Sequence, residues 1–165
     1  MYEYTPKFEK KREKLLAIFV IGLSVIVYAI SATGLLPFPG IFQMLAVCGI
    51  TAGILILTMY VLPHYTYRIE PREEGSGALD FVIVEYTGRR SITVCRVSVS
   101  SVIEVVCVTK ETKATIDQAK KGKHFYNYTG VLFDEVRYCA HLEENGESFF
   151  VYFCPDAKLL QYLNQ

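Results

Sequence analysis

From Leu15 to Pro63 the chain contains no Asp, Glu, Lys, Arg or His. The run Leu35-Leu36-Pro37-Phe38-Pro39-Gly40 divides this interval into two apolar segments, 15–36 and 41–62. At about 1.5 Å rise per residue, each segment reaches across a hydrocarbon core of about 30 Å. Two such spans joined by a Pro/Gly turn predict a transmembrane helical hairpin. A cleaved signal peptide is the competing reading of the first segment. Its apolar run exceeds the usual h-region, a second span follows at once, and Ser31-Ala32-Thr33-Gly34 is a poor cleavage site. We therefore expect both spans to be retained.

The hairpin separates two unlike flanks. Residues 1–14 form a basic segment, with Lys7, Lys10, Lys11, Arg12 and Lys14 against Glu3, Glu9 and Glu13. Residues 63–165 read as a separate domain. From His64 on they carry 12 basic and 14 acidic side chains, a balance without the basic footprint of a nucleic-acid binder. Basic residues lie before the first span and after the second (Arg68, Arg72), with none at the turn. The positive-inside rule then places both termini in the cytoplasm, on the inner side of the plasma membrane. The five cysteines are odd in number and unpatterned, which suits a reducing compartment.

The segment after the spans reads as strand almost throughout. Residues 65–70, 78–86, 91–97, 99–109, 124–128, 135–142 and 148–153 are rich in β-formers, and turn residues punctuate them. Thr87-Gly88-Arg89-Arg90 and Glu143-Glu144-Asn145-Gly146-Glu147 are hairpin turn signals. Residues 110–123 break the pattern. Ala114, Ile116 and Ala119 are weak helical anchors there, so a loop or short helix is expected. After Pro155 and Asp156 the period changes, and Leu159, Leu160 and Leu163 form a helical stripe. The expected fold is a mainly-β sandwich or barrel of about seven strands capped by a C-terminal helix.

That order resembles the pleckstrin-homology-like (PH-like) superfold, in particular bacterial PH-like domains that follow a pair of membrane helices. The likeness rests on the strand count, on residues 81–94 (FVIVEYTGRRSITV) and on residues 149–160 (FFVYFCPDAKLL). It implies a scaffold for protein or lipid contacts, not catalysis. Lipid-binding PH domains carry basic residues around the first hairpin. Here the corresponding loop, 70–77, is acidic, with Arg72 inside it and Arg68 just before it.

Candidate sites are few. Arg89 and Arg90, and the cluster Lys120, Lys121 and Lys123, are candidates for lipid or phosphate contact, set against a reading as solvated turns. Cys139 and His141 share one strand face, and His124 would join them if the pairing permits. They lack the paired spacing of a zinc site, and no nucleophile motif accompanies them. Asp134-Glu135 and Glu143-Glu144 read as solvated acids, and Gly75-Ser76-Gly77 lacks the Lys of a phosphate loop. No catalytic residue, metal site or cofactor is expected. Gly49 and Gly53 form a Gly-x-x-x-Gly pattern that admits close helix packing, either onto the first span near Gly22 and Ser24 or in a homodimer.

The sequence thus favours a membrane-anchored, non-enzymatic interaction module that binds a protein partner. The exposed strand edges and residues 110–123 are its expected contact surfaces. A sensor of anionic lipid is the first alternative. A small membrane enzyme with a pocket near His124 and His141 is the second.

Overall fold

The computed structural model describes residues 1–72, 77–132, 136–144 and 146–164. They form two compact units: a helical unit comprising Phe8–Pro63 with Val131 and Leu132, and a β unit comprising Met1–Lys7 and the other described residues from His64 on.

In the helical unit, α1 spans Lys11–Ala32 and α2 spans Pro39–Ile56. By length and composition, α1 and the continuous helical stretch Pro39–Val61 that α2 begins are each long and apolar enough to cross a membrane. α1 starts four residues ahead of the uncharged interval, because Lys, Arg and Glu are good helix formers and carry the backbone helix past the apolar stretch. It also ends four residues before Leu36. Gly34 takes a positive φ of 76°, and its N–H returns to the Ser31 carbonyl at 3.2 Å. Pro39 opens α2 at its first turn, where a missing N–H costs nothing. The Ser31 hydroxyl donates to the Pro39 carbonyl at 2.7 Å, tying the two helices at the turn. Past Ile56 the helix widens into one turn of i→i+5 bonding over Leu57–Val61, closed by the Leu62 N–H on the Leu57 carbonyl.

Gly49 and Gly53 lie on the face of α2 that meets α1. A Cβ on Gly49 would stand 2.1 Å from the Ser24 hydroxyl oxygen, and one on Gly53 2.4 Å from Ile21 Cγ1. Gly22 has open space around it, so Ser24, Ile21 and Ala17 supply the contact and Gly22 does not. At the charged start of α1, Glu13 is buried and accepts the Leu132 N–H at 3.3 Å, and Lys10 Nζ donates to the Pro63 carbonyl.

Among its described residues the β unit contains eight strands in two four-stranded sheets, plus two α-helices. The first sheet has the order β1 (Tyr2–Tyr4), β2 (Pro63–Pro71), β3 (Leu79–Thr87), β4 (Arg90–Ser98). The second has the order β5 (Val102–Cys107), β7 (Tyr138–Glu144), β8 (Glu147–Phe153), β6 (His124–Asn127). Seven of these strands match the sequence reading. The eighth is additional to that reading: Tyr2–Tyr4, near the start of the chain, pairs antiparallel with Tyr67–Ile69 and belongs to the first sheet. β6 pairs with β8 in parallel, while β7 and β8 form an antiparallel hairpin.

Period-2 alternation sets the core. Tyr67, Ile69, Phe81, Ile83 and Val97 of the first sheet face Ala140, Leu142, Val151 and Phe153 of the second. α4 (Ala157–Leu163) closes the core with Leu159 and Leu163. Asp156, not Pro155, begins that helix: its carboxylate caps the Leu159 N–H at 2.9 Å, and Pro155 stands just outside. On the opposite face of the second sheet, Cys139, Phe150 and Tyr152 pack under Ile116 of α3 (Lys110–Ala119). The weakly patterned segment is therefore a helix. Thr109 starts it through reciprocal bonds with Thr112: its hydroxyl accepts the Thr112 N–H at 3.2 Å, and its own N–H donates to Thr112 Oγ1 at 2.8 Å.

Candidate functional site

Among the described residues β4 and β6 are edge strands of the two sheets, and they flank a groove of about 290 Å³. No further strand covers either edge among the described residues. Val94, Cys95 and Val97 line the β4 side, and His124, Tyr126 and Tyr128 the β6 side. An extra residue, Val94, bulges out of β4 opposite the Ile83–Val84 step. Its carbonyl accepts the Tyr128 hydroxyl at 3.2 Å, so this part of the β4 edge is already engaged. The rings of Tyr126 and Tyr128 stack at 6.0 Å with planes 2° apart, and Phe149 meets Tyr126 edge-on at 6.1 Å. Burial and the neighbouring Glu144 push the Cys95 thiol up to about 11, which keeps it protonated and unreactive.

The rim of this groove is charged. Arg96 is drawn away by Asp80 at 3.2 Å and Glu70 at 3.4 Å. Glu144 and Glu147 stand directly opposite each other across the β7–β8 hairpin, and neither forms an ion pair among the described residues. Like charges in such register repel.

The histidines do not converge. β6 is in parallel register with β8, so His124 pairs with Phe149 and shares the inner parity of Leu142. Cys139 and His141 point to the other face, where they line a separate groove of about 320 Å³ beside α3. There the His141 ring stacks on Phe150 at 4.5 Å, and its Nε2 meets the Ser148 hydroxyl at 2.6 Å. Burial, with Lys123 adding to it, lowers the imidazole pKa. Burial raises the Cys139 thiol to about 11. Among the described residues no three His, Cys, Asp or Glu side chains gather as a metal set.

The basic candidates divide in two. Arg89 and Arg90 are exposed at the β3–β4 turn. Lys120 is folded back: its Nζ pairs with Asp117 at 2.9 Å, meets the Tyr152 hydroxyl at 3.1 Å and lies 4.2 Å from the Phe125 ring centre. Lys123 donates to Ser148 at 3.0 Å, and Lys121 alone of the three stays fully outward. A different basic surface escaped sequence reading. Lys110 and Lys113 of α3 and Arg137 line an open groove of about 530 Å³ beside exposed Val136. Arg137 lies 24 or more residues from the two lysines, so no local charge run announces it.

Of the loop 70–77, residues 73–76 lie outside the described residues, as do Asp134 and Glu135. The flanking arginines are committed to carboxylates: Arg68 to Glu3 at 3.3 Å and Arg72 to Asp80 at 3.2 Å.

Comparison with known proteins returns no match to a family model, a curated protein or a solved structure.

Proposed function

We propose that this chain is a bacterial membrane-anchored, non-enzymatic interaction module whose β unit binds a protein partner. In this reading the helical hairpin spans the plasma membrane with both termini in the cytoplasm, following the distribution of basic residues around it. The β unit is a PH-like scaffold, a reading supported by two packed sheets closed by a C-terminal helix. The observation that carries the proposal is the groove between the β4 and β6 edges. An unpaired edge with an aromatic floor is a ready template for a partner's main chain. Anchoring confines the module to a thin layer and raises its effective concentration toward membrane partners.

A specific observation favours a second reading. Lys110, Lys113 and Arg137 border one groove, which suits contact with anionic lipid headgroups.

Photo-crosslinking in native membranes tests the main reading. A photoreactive residue is placed in the full chain at Phe125, Thr115 or Arg89 in turn. A discrete protein adduct from Phe125 is expected. Absence of any protein adduct from all three positions overturns the reading.

A further inference from the structure

We propose that the groove between β4 and β6 takes an extended, basic segment of a partner protein, added as a strand to the edge of β6 with a Lys or Arg held by Glu144 and Glu147. This rests on the interaction-module reading and names the occupant of its groove.

The choice of edge follows from what each strand already holds. β4 is bulged at Val94, and the Val94 carbonyl is taken by Tyr128, so its ladder is interrupted where it faces the groove. β6 is regular over His124–Asn127, and all four residues are exposed. A strand bonded on one side only leaves the N–H and C=O groups of alternate residues facing outward, and these need a partner or water. Phe125 and Tyr126, 40% and 43% exposed, are a large apolar area for an edge that is meant to stay bare.

The sign of the occupant follows from the rim. Arg96, the cation that lines the β4 side of the groove, is held by two carboxylates of its own sheet. Glu144 and Glu147 are paired in register against each other, an arrangement that costs the free protein and is relieved by a cation between them. A guanidinium or ammonium there also reaches the stacked rings of Tyr126 and Tyr128, whose faces attract positive charge. The neutral Cys95 and Val97 beside it suit an apolar neighbour on the incoming strand.

Two labelled ten-residue peptides of alternating valine and threonine serve as probes, one with two central lysines and one with two central glutamates. Binding is measured to the full chain in neutral detergent at physiological salt. The lysine probe is expected to bind about tenfold or more tightly than the glutamate probe. In E144Q/E147Q that preference should shrink to within about twofold, while the thermal midpoint holds or rises because a repulsion has been removed. A lysine probe N-methylated at alternate amides should lose binding, since it cannot form the ladder. No binding by the lysine probe, equal binding of both probes, or a preference that survives E144Q/E147Q overturns the inference. Crosslinking from Phe125, Thr115 and Arg89 still reports a partner held by any surface. An adduct there with a silent lysine probe therefore defeats this inference alone, and no adduct at all defeats the module reading as well.

Discussion

The phenol of Tyr2 donates a hydrogen bond to the carboxylate of Asp156, 154 residues away. The same carboxylate caps α4 through its other oxygen. One side chain therefore joins the first strand of the sheet to the start of the last helix. The bond to Asp156, helped by burial, raises the Tyr2 phenol to about 12, so it remains a donor throughout the physiological range. Tyr2→Phe should cost about 1.5 kcal/mol, the low end of the range for a hydrogen bond to a charged group, because the pair is only partly buried. Asp156→Ala should cost at least as much, because it also removes the cap, worth about 0.5–2 kcal/mol. The double variant should resemble Asp156→Ala alone in urea titrations of the full chain in detergent. Additive losses would show that the two residues act independently.

A second prediction separates three glycines. A Cβ at Gly53 meets Ile21 Cγ1 at 2.4 Å and the Ala17 carbonyl oxygen at 3.2 Å, neither of which yields readily. At Gly49 it meets the Ser24 hydroxyl, which can rotate, and at Gly22 it meets nothing. Gly53→Ala should destabilise the helix pair most, by about 1–3 kcal/mol. Gly49→Ala should do so less, and Gly22→Ala should be neutral or slightly stabilising. Disulfide trapping of cysteines placed across α1 and α2 reads the order. Equal trapping in all three variants would mean that the glycines do not set the approach.

What the sequence revealed and what it hid follow one physical division. The uncharged interval, the Gly88 and Gly146 turns and the Leu159/Leu163 stripe are local signals, and each sits where local chemistry puts it. Tyr2–Tyr4 gave none: three residues around a glutamate become a strand only because residues 67–69 lie beside them. The groove was equally hidden. Its walls come from three separate stretches, around Val94–Val97, around His124 and Tyr126, and at Glu144, Glu147 and Phe149, and only the parallel register of β6 on β8 brings His124 to it and away from His141. α3 was ambiguous because its polar face outweighs Ile116, whose burial is decided by the sheet beneath.

His141 supplies a pH dependence with a definite sign. Burial, then Lys123, lowers its pKa from the ordinary value of about 6.5. The unfolded chain therefore binds this proton more readily than the folded one, and acid favours unfolding. The contribution is complete above the unfolded pKa and fades as pH falls below it toward the folded value. The His141 ring should titrate below about 6.5 by NMR. The thermal midpoint should drop between pH 7.5 and 5.5, and by less in His141→Gln. A ring that titrates above its ordinary value would reverse the assignment.

Membrane topology can be read by cysteine accessibility in a cysteine-free background. Pro39 lies at the turn between α1 and α2, and Arg89 at an exposed turn of the β unit. In intact cells, an impermeant maleimide should label a cysteine at position 39 and not one at position 89. Permeabilisation should then expose position 89. The opposite pattern would place the β unit outside.

The last prediction weighs protein against lipid as the β unit's partner. The domain from His64 on carries two more acids than bases, and Lys120 and Lys123 are folded onto their own sheet. Outward cations at the surface include Arg89 and Arg90 at one turn, Lys121 after α3, and Lys110 and Lys113 at the groove that half-buried Arg137 also lines. Each lysine or arginine close to an anionic surface contributes about 1 kcal/mol, so even three give only weak, salt-sensitive attraction. A fragment for this test must retain the first strand, so residues 1–7 are fused by a short flexible linker to residues 64–165. Its flotation with phosphatidylserine vesicles at physiological salt should be slight and unselective among headgroups. Replacing Lys110 and Lys113 by glutamine should change it little. Strong, headgroup-selective flotation that disappears in that variant, while Arg89→Gln/Arg90→Gln leaves it intact, would transfer the function to the basic groove and make the protein a lipid sensor.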